Sequence, residues 1–261
     1  MIGIFDSGIG GLTVVRSIMG LFPDSDICYF GDTARTPYGT KSPETVRQYA
    51  VENTELLLER GAKLVVCACN SASSVGARTL QETFDVPMIE VITPAVARAA
   101  ATPKCRAVGV IGTRATVGSG VYEAKIGEIA PQVRVYSRAC PLLVPLVEEG
   151  WLNRPETRMI VKKYLHPLKT RQVDALILGC THYPVLKDMI ARRMGKRVRI
   201  IDSSVAVAGS LRDLVEEKPE FRDALGRSGN LDILVSDVTD QFARVARLIL
   251  QRPVELKHVR L

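Results

Sequence analysis

Two short segments of the chain combine a cysteine with hydrogen-bonding neighbours: Cys69-Asn70-Ser71 and Cys180-Thr181-His182. Each follows an apolar run of the kind that forms a buried strand. Two thiols that face one substrate across a cleft could remove a proton from one face of a carbon and return a proton to the other. One sulfur would act as a thiolate base and the other as a thiol acid.

Three other interpretations of these cysteines stay open from the residues alone. The thiols could be inert packing. Cys67, Cys69, Cys180 and His182 could bind zinc, although their C-x-C and C-x-H spacing differs from the usual C-x₂-C. Cys180 and His182 could also act as a nucleophile and its base, although they stand only two residues apart.

Charged residues elsewhere could help to generate a thiolate. Asp6 follows the first apolar run, His182 follows Cys180, and the pair Glu148-Glu149 ends an amphipathic stretch before Gly150. Each of them could equally be a solvated charge or a helix cap. For the glutamate pair the residues alone favour that simpler interpretation.

Two glycine-containing segments also stand at strand ends. The turn from Asp6 to Gly11 could bind an anion through its backbone N–H groups, but it matches neither the dinucleotide fingerprint nor the P-loop. Glycine needed for backbone reasons alone is the favoured interpretation. The polar loop from Asp32 to Gly39 is long for its connection, so a functional loop and a surface excursion are equally supported.

The segments that must position these residues alternate between short apolar runs and longer helical patterns, which predicts an α/β fold with parallel sheets. Predicted strands are Ile2–Phe5, Ile27–Phe30, Leu64–Cys67, Met88–Val91, Ala107–Ile111, Val133–Tyr136, Ala175–Leu178, Val198–Ile201 and Leu231–Val235. Predicted helices are Leu12–Leu21, Pro43–Arg60, Ala72–Thr83, Val117–Ile129, Glu156–Leu168, Val185–Arg193, Val205–Glu216 and Thr239–Leu250.

A loose internal repeat accompanies this alternation. In both halves a strand that ends in a hydroxyl residue (Ser7, Thr113) precedes a strand that ends in cysteine (Cys69, Cys180). Two similar α/β units facing each other would explain the order, and chance likeness between α/β segments would also explain it. Sites in open α/β sheets form at the carboxyl ends of strands, and all of these residues lie there.

Composition limits the class of protein. The 261 residues include 46% apolar and 24% charged residues, which is typical of a globular chain that can bury a substantial core. No apolar run reaches the ~20 residues of a membrane helix, and no basic segment precedes an apolar run at the N-terminus, so we expect a cytoplasmic protein without membrane contact.

The net charge of +7 could indicate a nucleic-acid partner, but the aromatic content is only 5% and the basic residues are scattered. We therefore expect no nucleic-acid partner. The one dense basic run is interpreted as a solvated helix end and the following strand: Arg192, Arg193, Lys196, Arg197 and Arg199. A positive field would also attract a small anionic substrate.

Six motifs together resemble the cofactor-independent aspartate/glutamate racemase superfamily, and within it the bacterial glutamate racemases. They run in the family's order from the N-terminus to about Ala208. The segments are Gly3–Leu12, Tyr29–Pro43, Ala68–Ser73, Gly109–Val117, Cys140–Glu148 and Leu178–Pro184. Beyond Ala208 only the general α/β character matches.

The resemblance implies two facing α/β domains with mainly parallel sheets, related by a pseudo-twofold axis, with the active site in the cleft between them. The first domain would comprise residues 1–92 and 206–261, and the second would be inserted as residues 93–205. The implied activity is the interconversion of L-glutamate and D-glutamate, supplying D-glutamate for peptidoglycan, without pyridoxal phosphate or a metal. The family commonly forms homodimers.

The resemblance also implies roles for individual residues. Cys69 would deprotonate D-glutamate and Cys180 L-glutamate, with Asp6, His182 and Glu148 assisting the thiols. Substrate would be bound by Ser7, Pro37, Tyr38, Gly39, Asn70, Ser71, Thr113, Thr116 and Thr181. Two positions depart from the family pattern: Ser71 stands where threonine is usual, which predicts a slightly looser pocket, and Cys67 stands where an aliphatic residue is usual.

Overall fold

The structure is a computed structural model that describes residues 1–219, 221–222 and 225–260. Residues 220, 223, 224 and 261, which belong to the predicted first domain, lie outside the described residues. Within the described residues the strands are β1 Ile2–Asp6, β2 Ile27–Gly31, β3 Leu64–Cys67, β4 Met88–Glu90, β5 Ala107–Gly112, β6 Arg134–Ala139, β7 Ala175–Gly179, β8 Arg199–Asp202, β9 Leu231–Val235 and β10 Leu256–His258.

The helices connect successive strands, as expected for an α/β fold. They are α1 Leu12–Leu21, α2 Pro43–Glu59, α3 Asn70–Thr83, α4 Ile92–Ala100, α5 Arg114–Gly118, α6 Val121–Ile129, α7 Leu143–Glu148, α8 Pro155–Thr170, α9 Lys187–Met194, α10 Ser203–Glu217 and α11 Asp240–Leu250. Short 3₁₀ turns cover Thr33–Arg35, Tyr38–Thr40 and Tyr183–Leu186.

The described strands form two fully parallel sheets. One has the order β10-β9-β2-β1-β3-β4 and the other has the order β6-β5-β7-β8. The four strands β2-β1-β3-β4 therefore repeat the topology of β6-β5-β7-β8. In this repeat β3 corresponds to β7, so that the cysteine-bearing segments follow equivalent strands. The internal repeat in the sequence thus has a structural counterpart.

The predicted α/β class with two parallel sheets is confirmed. The first sheet draws its strands from residues 1–92 and 206–261, and the second draws its strands from residues 93–205. The boundaries themselves stay a prediction, since helix α10 runs across residues 205 and 206.

A shared hydrophobic core joins the two sheets. It contains buried side chains of both, such as Ile4 of β1 and Ile177 of β7. Helices α4 and α10 supply further apolar side chains to this core and contact each other as well as strand β7. Two smaller cores cover the outer faces, one under α2 and α3 and the other under α7, α8 and α9. The inner strands β1, β2, β3, β5 and β7 are buried along their whole length, which explains their nearly continuous apolar sequences.

The local sequence explains where several helices begin. Helix α2 starts with Pro43 after Ser42, whose hydroxyl accepts a hydrogen bond from Thr45 N at 3.3 Å. Asp202 caps α10 in the same way, accepting from Ser204 N at 3.0 Å. The structure of the basic run also agrees with the prediction, because Arg192 and Arg193 end α9 and Arg199 opens β8.

One predicted helix needs correction, and three elements of the structure were not predicted. The helix predicted over Val117–Ile129 is two helices, because Gly120 adopts the left-handed conformation with φ of +66° between α5 and α6. Helices α4 and α7 were not predicted, since α4 contains a proline and few polar residues and α7 has only six residues. The short edge strand β10 was also missed, because three residues carry little periodicity.

Candidate active site

The carboxyl ends of the two sheets enclose a cavity of about 500 Å³. This is the position at which open parallel sheets form sites, and the volume suits a small metabolite. The described residues that line it are Ser7, Thr36, Pro37, Tyr38, Gly39, Thr40, Cys69, Asn70, Ser71, Thr113, Arg114, Pro141, Leu142, Val144, Pro145, Glu148, Tyr164, Cys180, Thr181 and His182. Both cysteine segments therefore reach one cavity from different sheets.

Cys69 stands between strand β3 and helix α3, which begins at Asn70. Its side chain is buried, and its sulfur lies 3.6 Å from Ser7 Oγ. Burial is the main cause that raises the pKa of the Cys69 thiol to about 12, and the negative charge of Asp6 is the second. Hydrogen bonds from Ala72 and Ser7 lower this pKa but do not outweigh the two raising effects. Cys69 is therefore a protonated thiol at neutral pH in the unliganded site.

Asp6 ends β1 and lies just behind the cavity wall, fully buried. Its carboxylate accepts hydrogen bonds from Gly8 N at 3.1 Å, Gly11 N at 3.0 Å and the Thr181 hydroxyl at 3.2 Å. Burial raises the pKa of Asp6, while the nearby His182 and these hydrogen bonds lower it. The backbone N–H groups of Gly8 and Gly11 in the glycine-rich turn thus donate to the protein's own Asp6 carboxylate.

Cys180 belongs to a chain of three titratable side chains. The Cys180 sulfur lies 3.7 Å from His182 Nδ1, and His182 Nε2 lies 3.1 Å from a Glu148 carboxylate oxygen. Burial by itself lowers the pKa of His182, but its hydrogen bonds to Cys180 and Glu148 outweigh burial and hold that pKa well above its usual range. These two contacts therefore favour the charged imidazolium form of His182, which lies directly beside the Cys180 sulfur.

The environments of the two thiols differ as a result. Cys69 has a neutral hydroxyl as its hydrogen-bond partner and the buried carboxyl of Asp6 nearby. Cys180 has a cationic partner that is itself held by Glu148. An adjacent positive charge favours the thiolate form of a cysteine.

Neutral hydrogen-bonding groups surround the thiols. Ser71 Oγ lies 2.9 Å from Thr113 Oγ1 and 3.4 Å from Thr116 Oγ1, so this cluster joins the two sheets across the cavity. Asn70 accepts a hydrogen bond from the Tyr122 hydroxyl at 2.7 Å, whereas its buried amide nitrogen has no partner within the described residues. An unpaired buried donor on a cavity wall is a group that a ligand oxygen can satisfy.

The loop after β2 forms another part of the wall. Tyr38 is buried and donates its hydroxyl hydrogen to Asp32, and Asn53 Nδ2 donates to the Tyr38 oxygen at 2.9 Å. Gly39 packs against Thr113, and a Cβ at Gly39 would lie 2.8 Å from Thr113 Cβ. Glycine is therefore required at this contact between the two halves of the site.

The structure brings together nearly all of the predicted substrate-binding residues at the cavity. Thr116 is the exception, since it is buried behind Ser71 and Thr113 and does not line the wall. Sequence reasoning did not assign eight of the lining residues to the site, namely Thr36, Thr40, Arg114, Pro141, Leu142, Val144, Pro145 and Tyr164. Seven of these residues lie inside the motifs Tyr29–Pro43, Gly109–Val117 and Cys140–Glu148, whereas Tyr164 of α8 lies outside every motif.

The zinc interpretation finds no matching arrangement. No group of three or more His, Cys, Asp or Glu side chains in the described part of the chain is placed to hold a metal ion. Cys67 does not line the cavity, and its sulfur contacts Ser73 Oγ at 3.3 Å within the core beneath α3. Cys67 is therefore a small core residue.

Comparison with known proteins identifies the family. The sequence pattern of the Asp/Glu/Hydantoin racemase family matches residues 13–211. This chain belongs to that family. Among curated racemases, the glutamate racemase of Geobacter metallireducens is 45% identical over 249 residues, covering 95% of this chain and 92% of the relative. The similarity therefore extends well beyond the active-site motifs.

Solved racemase structures share the whole fold. The glutamate racemase isoform RacE1 of Bacillus anthracis superposes with a TM-score of 0.93 at 35% identity, covering 100% of this chain and 97% of that one. The glutamate racemase of Francisella tularensis in complex with D-glutamate superposes with a TM-score of 0.90 at 36% identity, covering 99% and 96%. Among the described residues of the present chain, no helix is long and apolar enough to span a bilayer.

Proposed function

We propose that this racemase interconverts L-glutamate and D-glutamate, and that Cys69 and Cys180 are the two catalytic bases. The proposal rests on one observation above all. Two buried thiols, which follow equivalent strands of two sheets, line the same cavity. The similarity to glutamate racemases over nearly the whole chain supports glutamate as the substrate.

The reaction with L-glutamate starts with Cys180 as thiolate and Cys69 as thiol. Cys180 removes the Cα proton, the electron pair remains on Cα and the adjacent carboxylate, and Cys69 donates its proton to the opposite face. The product is D-glutamate, with Cys180 now a thiol and Cys69 a thiolate. Reaction of D-glutamate follows the reverse path, so the two substrates are bound by two different protonation states of the enzyme.

His182 and Glu148 support the first of these states. The imidazolium beside Cys180 stabilises its thiolate, and Glu148 keeps the ring charged and oriented. Asp6 supports the second state. Because its charge raises the pKa of Cys69, protonation of Asp6 makes a Cys69 thiolate easier to form, and burial raises the pKa of Asp6 toward that protonated form.

The neutral groups on the wall bind the substrate's carboxylates and ammonium. Asn70, Ser71, Thr113 and Thr181 offer amide and hydroxyl donors, while Ser7 and the loop Pro37–Gly39 complete the pocket. Thr116 positions Ser71 and Thr113 through their hydroxyl groups. Donors fixed before the substrate arrives also stabilise the negative charge that builds up as the Cα proton leaves.

The biological setting follows from the proposed reaction. We propose that the enzyme supplies D-glutamate for peptidoglycan from the cytoplasm and acts as a homodimer. The first domain, residues 1–92 and 206–261, and the second, residues 93–205, would then form the two walls of the cleft. Size-exclusion chromatography with light scattering tests the dimer, and a monomeric mass at micromolar concentration contradicts it.

Proton NMR of L-glutamate in D₂O tests the activity directly. With purified protein, a thiol reductant and no added cofactor, we expect the Cα proton signal to disappear while the optical rotation falls to zero. A parallel sample with aspartate tests selectivity, because aspartate differs from glutamate only by one methylene. Exchange with aspartate alone contradicts the substrate assignment, and exchange with neither amino acid contradicts the proposal as a whole.

A further inference from the structure

Arg114 is the one permanent cation among the described side chains that line the cavity. His182 and Glu148, which also line the cavity, already pair with each other, since His182 Nε2 lies 3.1 Å from Glu148 Oε1. Arg114 makes none of the ion pairs or side-chain hydrogen bonds found within the described residues. Its guanidinium is therefore free to meet an anion that enters the cavity.

The position of Arg114 separates it from the proton-transfer chemistry. Cys69 and Cys180 are 4% and 5% exposed, whereas Arg114 is exposed at the first residue of α5. The preceding residue, Thr113, is fixed by its 2.9 Å hydrogen bond to Ser71 at the cavity wall. A long cationic side chain thus projects from a fixed point at the rim, above buried neutral groups.

We propose that Arg114 attracts the anionic substrate to the cavity and binds the carboxylate of its side chain at the rim. The inference rests on the proposed function and deepens it, because it identifies a residue that selects a dicarboxylate over a neutral amino acid of the same length. Arg114 is a binding residue. No hydrogen bond joins Arg114 to either thiol within the described residues, so we assign its contribution to substrate affinity and encounter.

The chemistry of the side chain determines the size of the effect. A guanidinium stays charged at every working pH and can pair with a carboxylate through two parallel N–H···O bonds. Because Arg114 is exposed to solvent, water screens much of this attraction, and exposed ion pairs contribute no more than about 1 kcal/mol. The expected change in affinity is therefore about fivefold, which equals ~1 kcal/mol.

Steady-state kinetics of Arg114→Ala and Arg134→Ala test the inference as a matched pair. Both changes remove one positive charge, but Arg134 opens β6 at the opposite end of the sheet and does not line the cavity. We expect Arg114→Ala to raise KM for both glutamate enantiomers about fivefold with kcat nearly unchanged. Arg134→Ala leaves both constants as in the wild type, Arg114→Lys recovers part of the affinity, and Arg114→Glu weakens it further.

Ionic strength provides a second readout. Raising the salt concentration from about 0.01 M to about 0.5 M shortens the distance over which charges act from roughly 30 Å to a few ångströms. KM of the wild type and of Arg134→Ala should rise with salt, while KM of Arg114→Ala should change little. A KM for Arg114→Ala equal to that of the wild type, or a fall in kcat alone, overturns the inference.

Calorimetric binding of glutarate separates this inference from the proposed function. Glutarate carries both carboxylates but no amino group and no stereocentre, so it cannot be racemised and its binding can be measured without turnover. We expect Arg114→Ala to weaken glutarate binding about fivefold relative to Arg134→Ala. Unchanged glutarate binding refutes the role of Arg114 even if racemisation is observed, whereas absent racemisation refutes the proposed function even if glutarate binding depends on Arg114.

Discussion

Gly10 lies so close to His182 that a Cβ atom on Gly10 would stand 2.5 Å from Nδ1 of the imidazole. The same Cβ would also collide with the Thr181 hydroxyl. Nδ1 is the ring atom that faces the Cys180 sulfur. The glycine-rich turn after β1 therefore packs directly against the His182 ring that faces Cys180. The absence of a side chain at Gly10 allows this close contact between the two walls of the cavity.

Gly10→Ala should reduce kcat at least tenfold while the chain stays folded, because the new methyl group forces His182 away from Cys180. Measured kcat and circular dichroism check this expectation. Gly127→Ala is the control, since a Cβ there meets no atom within 4 Å in the middle of α6. That change should stabilise the protein by up to ~1 kcal/mol through helix propensity. A fully active Gly10→Ala variant would show that His182 is not required where it stands.

Cys180→Ala and Cys69→Ala should each lower racemisation by a factor of about 10² to 10⁴ or more, the typical contribution of a positioned acid or base. The two-thiol mechanism also predicts different residual exchange. Cys180→Ala retains Cys69, the base for D-glutamate, and should exchange the Cα proton of D-glutamate alone for deuterium. Cys69→Ala retains Cys180 and should exchange the Cα proton of L-glutamate alone. NMR in D₂O with each enantiomer measures this.

Cys105→Ala serves as the control for both thiol variants, because Cys105 lies outside the cavity and is only partly buried. It should racemise glutamate at the wild-type rate. Equal exchange of both enantiomers by either active-site variant would contradict the assignment of one thiol to each face.

Glu148→Gln should lower the pKa of His182, because the carboxylate is one of the two partners that hold it above its usual range. The imidazolium is then lost at a lower pH, and kcat/KM for L-glutamate should begin to fall at a lower pH than in the wild type. Histidine NMR titration and a pH–rate profile measure the two effects. Glu149→Gln, which changes the neighbouring exposed glutamate, should leave both profiles in place.

The same substitution has a predictable effect on stability. A group whose pKa is raised by folding stabilises the native state below its unfolded pKa, and that stabilisation is lost as the pH rises through the folded pKa. Glu148→Gln should therefore lower the free energy of unfolding at acidic and neutral pH and have less effect at alkaline pH. Urea denaturation at several pH values checks the sign, and a loss that grows with pH would contradict it.

Ser71→Ala should lower the free energy of unfolding by about 1 kcal/mol, because it removes the hydroxyl that pairs with Thr113 across the cavity. KM for glutamate should rise as well, since Ser71 lines the wall. Ser71→Thr keeps the hydroxyl and should retain the stability of the wild type. Urea denaturation and steady-state kinetics of the two variants distinguish loss of the hydrogen bond from a change in side-chain volume.

Much of the fold follows from local sequence. Strand Leu64–Cys67 is found at its predicted bounds, because residues buried on both faces leave an unbroken apolar run. Strand Leu231–Val235 is also found at its predicted bounds, although Asp232 interrupts its apolar run. Helix α1 likewise begins and ends as predicted. Helix α4 was not predicted, because its short sequence contains a proline and only two polar residues, and it is packed between the two sheets.

The sequence by itself determined the α/β class, and its apolar runs placed the two cysteine segments at the ends of strands. Its motifs, by their family resemblance, also marked most of the cavity wall. Only the tertiary structure decided which partners each thiol has. Ser7 meets Cys69 across 62 positions of the chain, and Glu148 meets His182 across 34. The rim position of Arg114 and the close contact at Gly10 were decided in the same way, because both depend on how the two sheets pack against each other, and no local pattern of residues encodes that packing.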